Sequence, residues 1–171
     1  MKVDFFKKAA VIAIAVTMSV AAYSQSQGDK AVGGNLVIGH RSSNGYSWTN
    51  VGIGAKFYYN VTDPIRLAGE FDYFLKKDEV SMWDFSVYGH YLFPVADQVV
   101  VYPAIGLGIV GSKYHGEYDF GSNSDNDFGF SLGGGADYEI SSNLSLNGEL
   151  RIKLVNGYNW LNIAIGLAYK F

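Results

Sequence analysis

The chain contains no cysteine, which excludes a disulfide framework, a thiolate metal site and a lipid-modified cysteine. Proline is also scarce, with three residues in 171, and a chain of this length is expected to form one domain. By contrast there are 21 glycines, 13 tyrosines and 11 phenylalanines, which is too aromatic for a disordered chain. Aromatic residues favour strands, and glycine leaves room for tight internal packing, so the composition predicts an all-β domain.

The first 24 residues differ from the rest of the chain. Three lysines precede an apolar run from Ala9 to Ala22, and the small residues Ala22 and Ser24 stand where a signal peptidase cleaves. The alternative is a membrane anchor helix, but the run is shorter than the roughly 20 apolar residues that a spanning helix needs. We therefore predict a cleavable signal peptide at 1–24 and a β domain at 25–171. Cleavage removes three lysines and one aspartate, which changes the formal charge from −3 to −5 and argues against a nucleic-acid partner.

Apolar and polar residues alternate with a period of two from Lys30 to the end of the chain, which indicates antiparallel strands. We predict eight strands, at 31–40, 48–61, 65–75, 82–93, 99–110, 127–140, 144–154 and 160–171. Short turns at 62–64, 94–98 and 141–143 alternate with longer loops at 41–47, 76–81, 111–126 and 155–159. Both termini are then expected at the turn end. Pro103 suggests a bulge or a locally unpaired position, because proline has no N–H to donate.

The last predicted strand, Trp160 to Phe171, has one fully apolar face and one face of small or polar residues. An unpaired apolar edge strand would template aggregation, so we expect this strand to pair with the first strand and close a barrel. An apolar face that points outward places such a barrel in a membrane.

A soluble lipocalin-like barrel is the structural alternative, because alternation alone does not say which face is inside. Three features favour the membrane barrel. Most strand glycines share the polar face, as expected where side chains crowd in a narrow lumen. Aromatic residues of the apolar face gather near the strand ends, like the two aromatic girdles of a bilayer-spanning barrel. The predicted signal peptide would also deliver the chain to the compartment where such barrels insert.

The mature chain resembles the small outer-membrane β-barrel family of Gram-negative bacteria, the OmpX- and OmpA-type eight-stranded barrels of the porin family. The resemblance rests on the strand count, the alternation of turns and loops, and the terminal Leu167, Tyr169 and Phe171, which look like the signal read by the outer-membrane assembly machinery. It implies a location in the cell outer membrane, in contact with the bilayer and lipopolysaccharide, with extracellular loops and periplasmic termini. We expect the OmpX-like, barrel-only form, because nothing in the sequence resembles a C-terminal peptidoglycan-binding domain.

Charged residues line the face that is predicted to point into the lumen. The predicted polar network consists of Lys56, Arg66, Glu70, Asp72, Asp84, His90, Glu149, Arg151 and Lys153, and Asp137, Glu139 and Lys170 share the same face. Eight strands leave no room for a wide aqueous pore, so these charges are expected to neutralise one another around Lys56, Glu70, Glu149 and Arg151. A sealed polar core is favoured over a gated ion path.

Catalytic and metal sites have weaker support. The segments His40-Arg41-Ser42 and His115-Gly116-Glu117 suggest the acid–base chemistry of a lipid A-modifying barrel, but neither belongs to a complete catalytic set. The stretch Asp119 to Asp127 has oxygens for a weak divalent-cation site without the spacing of a calcium loop, so a solvated acidic loop is favoured. We expect no enzyme activity, no cofactor and no metal.

The sequence therefore predicts a monomeric outer-membrane barrel with a sealed polar lumen, which is structural or interacts through its loops with an unknown extracellular ligand. A narrow porin-like channel for ions or small solutes is the alternative, and a lipid A-modifying enzyme is the third.

Overall fold

The computed structural model describes residues 25–43, 46–77, 80–114 and 124–171. The strands in these residues are β1 (Lys30–Ser43), β2 (Tyr46–Asn60), β3 (Ile65–Lys77), β4 (Val80–Tyr91), β5 (Phe93–Ala96), β6 (Val99–Tyr114), β7 (Ser124–Ser141), β8 (Leu144–Val155) and β9 (Tyr158–Lys170). The predicted signal peptide at 1–24 and the predicted Asn44-Gly45 turn lie outside the described residues. None of the described residues forms a helix that is long and apolar enough to cross a membrane.

The strands close into a barrel. β1 pairs antiparallel with β2 on one side and with β9 on the other, from Ala31 opposite Lys170 to Ser42 opposite Asn159. β4 and β5 are separated only by Leu92, and both pair with β6, so they act as one barrel strand. The all-β, eight-stranded, antiparallel up-and-down barrel that the sequence predicts is confirmed.

The register around the wall shows how the strands are staggered. We followed the residues that face each other on neighbouring strands once around the barrel, starting at Asn50 of β2. The circuit returns to β2 at Asn60, ten residues further along the strand. It passes Gly39, Asn162, Arg151, Gly133, Ala104, His90 and Arg66. This stagger requires the strands to tilt relative to the barrel axis, and eight strands enclose a space that side chains can fill. The lumen is therefore a packed interior.

The two faces of the strands lie as the alternation predicts. Apolar side chains on the outer surface are more than half exposed at Leu36, Ile53, Ile105, Leu150 and Ile165. The alternate positions point inward and are mostly buried, including the charged residues of the predicted network. The molecule thus has an apolar exterior around a polar and aromatic interior.

Glycines on the inner face leave space for the side chains of neighbouring strands. A methyl group at Gly106 would collide with the Tyr88 ring, and one at Gly54 would collide with Asp72 and Asn35. The concentration of glycine on the polar phase of the sequence therefore has a packing reason. Gly157 has a different role, because its φ of 88° completes the two-residue hairpin turn between β8 and β9.

The strands extend further than the sequence pattern indicates. The predicted loop 111–126 is shorter than expected because β6 runs to Tyr114 and β7 starts at Ser124. The predicted turn 94–98 is wrong in part, since β5 occupies Phe93–Ala96. Backbone pairing does not depend on side-chain polarity, so strands continue through residues that a hydrophobic pattern assigns to loops.

The predicted bulge at Pro103 is absent. Pro103 pairs in regular register with Gly134 on β7, and the irregularity lies on its other side. There the pairing with β6 stops at His90 and resumes at Phe93. On the opposite edge of the same strand, the N–H of Leu92 continues the register with β3 and donates to the carbonyl of Pro64 at 2.7 Å. Pro103, which has no N–H to donate, therefore lies opposite the gap between β4 and β5.

Candidate functional site

The centre of the lumen holds four charged side chains from three strands. The Arg151 guanidinium donates to both carboxylate oxygens of Glu70, with Nη2 at 2.7 Å from Oε1. Lys56 Nζ lies 2.8 Å from Glu149 Oε2 and 3.5 Å from Glu70 Oε1, and Arg151 Nε lies 3.3 Å from Glu149 Oε2. All four residues are at most 6 % exposed. Each charge therefore has an opposite charge within contact distance, as a buried ion needs.

Asp72 lies beside this centre and depends on weaker partners. Asn35 Nδ2 donates to Asp72 Oδ1 at 3.0 Å and to Glu70 Oε1 at 3.3 Å, while the nearest cation, Arg151, is 3.9 Å from Asp72 Oδ2. The described lumen buries one more carboxylate than it buries cations. The four cations are Lys56, Arg66, Arg151 and Lys153, and the five carboxylates are Glu70, Asp72, Asp84, Asp137 and Glu149. Asp72 has the least complete compensation.

A second group lies on the neighbouring part of the wall. Lys153 Nζ contacts both carboxylate oxygens of Asp84 and lies 2.6 Å from Ser86 Oγ, which in turn donates to Asp84 Oδ1 at 2.6 Å. Lys153 is fully buried, and Ser86 and Asp84 are each 2 % exposed. The Ser86 hydroxyl is thus hydrogen-bonded to both members of the Lys153–Asp84 ion pair.

A third group surrounds Arg66 towards the turn end. Arg66 Nη1 donates to Asp137 Oδ2 at 2.6 Å, and Arg66 Nε donates to His90 Nδ1 at 3.2 Å. The His90 ring stacks on Tyr102 with centroids 4.5 Å apart, and the Tyr102 hydroxyl donates to Glu149 Oε1 at 2.8 Å. This tyrosine connects the Arg66 group to the central ion pairs.

Aromatic faces add further cover for the cations. The Arg66 guanidinium lies 4.5 Å from the centre of the Tyr58 ring and 4.6 Å from that of Tyr102, and the Arg151 guanidinium lies 4.7 Å from the Tyr88 ring. Such contacts stabilise a desolvated cation. The structure therefore brings all nine residues of the predicted network into three groups, together with Asp137 and three tyrosines, and Tyr102 connects the first group to the third.

An apolar patch of the lumen wall lies towards the loop end, next to the Lys153–Asp84 pair, because Lys153 is the register partner of Trp160 and Asp84 that of Val110. Its side chains form a cluster here called the apolar plug, which consists of Val37, Phe74, Met82, Val110, Val155, Tyr158, Trp160 and Ala164. The rings of Phe74 and Trp160 lie 4.8 Å apart and are at most 2 % exposed. The signal was present in the sequence, because apolar residues replace polar ones on the inward phase near the loop ends of several strands.

The apolar plug is capped by a polar contact. The Arg41 guanidinium lies 3.6 Å from the centre of the Tyr158 ring, and the Tyr158 hydroxyl is 3.3 Å from Asp127 Oδ2. Arg41 was part of a catalytic hypothesis, and the structure instead places it over an aromatic ring at the rim.

Two predicted inward charges lie at the turn-end rim and are only partly buried. Glu139 is partly exposed, and the Lys170 side chain is 31 % exposed and pairs with Asp29 at 3.7 Å. Both residues are near the strand ends, where the wall no longer encloses the side chains. They do not join the three buried groups.

The described residues do not assemble a site for the catalytic and metal-binding hypotheses. His40 Nδ1 lies 2.8 Å from Thr49 Oγ1 on the exposed outer face, and Ser42 is exposed. The segment 115–117 and most of the predicted cation site lie outside the described residues. Across the described part of the chain, no group of three or more histidine, aspartate or glutamate residues has the geometry to hold a metal ion.

The C-terminal residues Leu167, Tyr169 and Phe171 all lie on the outer face, with 47 %, 53 % and 65 % of their surface exposed. The strand that carries the first two is paired on both sides, and the N–H of Phe171 donates to the carbonyl of Lys30 at 3.1 Å. The three side chains are therefore held in a row on the outer surface.

Solved structures of outer-membrane barrels share this architecture. Neisserial surface protein A matches with a TM-score of 0.73 and 15% sequence identity, covering 83% of this chain and 97% of that one. Ail, the attachment invasion locus protein of Yersinia pestis, matches with a TM-score of 0.66 and 16% identity over 85% of this chain and 99% of its own. The outer membrane protein OprG from Pseudomonas aeruginosa matches with a TM-score of 0.58 and 13% identity over 86% and 97%.

Comparison with curated protein sequences finds no match. The model of the outer membrane protein beta-barrel domain matches residues 9–171. Together with the closed wall, the apolar exterior and the ion-paired interior, this match means that the chain belongs to the outer membrane protein beta-barrel domain family.

Proposed function

We propose that this outer-membrane barrel does not conduct, and that it serves the envelope as a structural component or through its loops. The observation that carries the proposal is the apolar plug together with the Lys153–Asp84 pair beside it. Water entering from the loop end would have to pass Phe74, Trp160 and this pair, and it would then meet central charges that already have partners. Close-packed apolar side chains oppose a continuous column of water.

The orientation in the membrane is part of the same proposal. The segment at 1–24 is cleaved as a signal peptide, the loops face the cell exterior, and both termini face the periplasm. The outer surface contacts lipid and lipopolysaccharide, and the row Leu167, Tyr169 and Phe171 is read by the assembly machinery. The barrel acts as a monomer, has no enzyme activity, and either is structural or meets an extracellular ligand through its loops.

Conductance in planar bilayers tests the sealed lumen. Purified barrel, refolded in detergent and reconstituted at increasing protein-to-lipid ratios, is expected to give no steady current steps in concentrated potassium chloride. A larger porin reconstituted in the same way shows that insertion can be detected. Large, stable and ion-selective steps from the wild-type protein would overturn the proposal in favour of the narrow channel.

A further inference from the structure

Two carboxylates that face each other on β3 and β4 are compensated unequally. Asp72 lies directly opposite Asp84 in the register of these strands, and both are 2 % exposed in the lumen. Like charges in this position destabilise a sheet. Asp84 is in contact with Lys153, whereas the cation nearest to Asp72 in the described lumen is Arg151, at 3.9 Å. Because Arg151 already donates to both carboxylate oxygens of Glu70, Asp72 shares a cation that is engaged elsewhere.

The buried charges of the described lumen sum to minus one if every carboxylate is ionised, since four cations stand against five carboxylates. His90 does not add a fifth cation, because its Nδ1 lies 3.2 Å from Arg66 Nε and 3.1 Å from Arg66 Nη2. A guanidinium has only donors, so His90 Nδ1 accepts and carries no proton. One negative charge therefore remains without a cation in an interior that excludes water, where neutralisation costs less than an unpaired ion.

No other cation is available to Asp72. The charged and titratable groups near it on the inner face are Lys56 on β2, Glu70 on β3, Asp84 and Tyr88 on β4, and Arg151 and Lys153 on β8. Lys56 Nζ lies 2.8 Å from Glu149, and Lys153 Nζ contacts Asp84. Each lysine is thus held by another carboxylate.

A buried acceptor without a hydrogen lies beside Asp72. Asn35 is 6 % exposed, and its Oδ1 has no hydrogen-bond partner among the described residues. The orientation of this amide is fixed, because its Nδ2 donates to Asp72 Oδ1 at 3.0 Å and to Glu70 Oε1 at 3.3 Å. A methyl group at Gly54 would collide with both Asn35 Oδ1 and Asp72 Oδ1, so the two oxygens lie side by side. An un-ionised Asp72 has the donor that Asn35 Oδ1 lacks.

We propose that Asp72 is a proton-binding site, which holds a proton at neutral pH in the folded barrel and donates it to Asn35 Oδ1. The buried network then contains four cations and four carboxylates. The proposal rests on the sealed lumen of the proposed function, because a water-filled lumen would solvate an ionised Asp72. Conductance reports on the seal and infrared spectroscopy reports on the proton, so the failure of one is distinguishable from the failure of the other.

Infrared spectroscopy of barrel refolded in an ester-free detergent tests the site directly, because an un-ionised carboxylic acid has a carbonyl stretching band that a carboxylate lacks. At pH 7 the wild type should show this band, and Asp72→Asn should lose it. Asp137→Asn is the matched control and should keep the band, since Asp137 is 3 % exposed but pairs with Arg66 at 2.6 Å. A wild type without the band, or a band unchanged in Asp72→Asn, would overturn the proposal.

Urea titration at several pH values provides a second measurement. The unfolded chain releases the Asp72 proton above about pH 4, so the folded state binds more protons and stability should fall as the pH rises. The unfolding equilibrium constant of the wild type, divided by that of Asp72→Asn, is expected to rise up to tenfold per pH unit from about pH 5 until the folded barrel loses the proton. A ratio that does not change with pH would contradict the proposal.

The same titrations at pH 7 compare the two carboxylates. Asp137→Asn should unfold more than about a hundredfold more readily than the wild type, because it leaves Arg66 without its carboxylate. Asp72→Asn should unfold no more readily than the wild type, because an amide replaces a neutral acid of the same shape. Equal losses in the two variants would overturn the proposal. So would a wild-type stability that falls when choline replaces sodium, since a bound cation would then compensate Asp72.

Discussion

Arg151 and Glu70 face each other across the full width of the barrel, and two guanidinium nitrogens donate to the two carboxylate oxygens. Their strands, β8 and β3, are separated by three barrel strands on either side. The other principal ion pairs also cross the lumen, since Lys56 meets Glu149 and Lys153 meets Asp84. The interior charges therefore connect walls that share no backbone hydrogen bonds.

Arg151→Ala is expected to lower the free energy of unfolding by about 3 to 5 kcal/mol, because it leaves Glu70 and Glu149 buried with only Lys56 as a cation. Urea titration of the barrel in lipid vesicles measures this loss. Lys170→Ala is the control, since its partly exposed pair at the rim should contribute less than about 1 kcal/mol.

Replacing both partners separates the cost of an unpaired charge from the strength of the pair. The double variant Arg151→Met with Glu70→Leu should be more stable than Arg151→Ala alone, because neither buried charge of the pair remains. A double variant as unstable as the single one would contradict this account.

Leu150→Arg is expected to reduce the free energy of folding into lipid by about 2 to 4 kcal/mol, as a charge does on the lipid face at mid-depth. Leu150 is 54 % exposed on the outer surface, and Ile105→Arg should behave in the same way. Asn147→Ala changes the inner face of the same strand and should be milder. Folding titrations in which Leu150→Arg is harmless and Asn147→Ala severe would mean that the faces are assigned in reverse.

Trp160→Ala removes the largest side chain of the apolar plug and is expected to cost about 3 to 5 kcal/mol of stability. Because the cavity lies in the lumen, the variant should also admit ions and produce current events that the wild type lacks. Trp83→Ala is a matched control on the outer face, where Trp83 is only partly buried and stacks on Phe71. Equal conductance in the two variants would argue that the apolar plug does not seal the lumen.

Deletion of Phe171 is expected to lower the amount of barrel in the outer membrane of cells more than it lowers the stability of refolded barrel. It is a single aromatic side chain at the rim of the outer surface, so its burial at the membrane interface contributes at most roughly 1.5 to 3 kcal/mol. Quantitative blotting of membrane fractions, compared with urea titration of the purified protein, separates the two effects. Unchanged outer-membrane levels would remove support for the assembly signal.

The wall of the barrel could be predicted because its signal is periodic. Alternation placed Leu36, Ile105 and Leu150 outside and Glu70 and Arg151 inside, and the structure has each on the expected face. The strand ends were predicted less accurately: β6 was expected to end at Val110 and ends at Tyr114. Backbone hydrogen bonds between strands form at polar residues as readily as at apolar ones.

The partners within the lumen could not be predicted from the strand pattern. Which residues meet across the barrel depends on the stagger of the strands, and a shift of two residues would keep every face and change every pair. The contact between Arg66 and Asp137 therefore required the register, as did the separation of Glu139 from the buried groups. The apolar plug was missed for another reason, since on the inward phase Val37 stands between Asn35 and Gly39 and therefore belongs to no apolar run.

The pairing of β1 with β9 also determines how the barrel must fold. Ala31 and Lys170 are at opposite ends of the chain, so the last ladder forms only after the whole polypeptide is available. Contacts so distant in sequence carry a large loop-closure entropy and are associated with slow folding. A sheet in which β9 is not yet paired exposes the edges of β1 and β8 at once, and closure is thus expected to be late, cooperative and dependent on factors that hold the unclosed sheet.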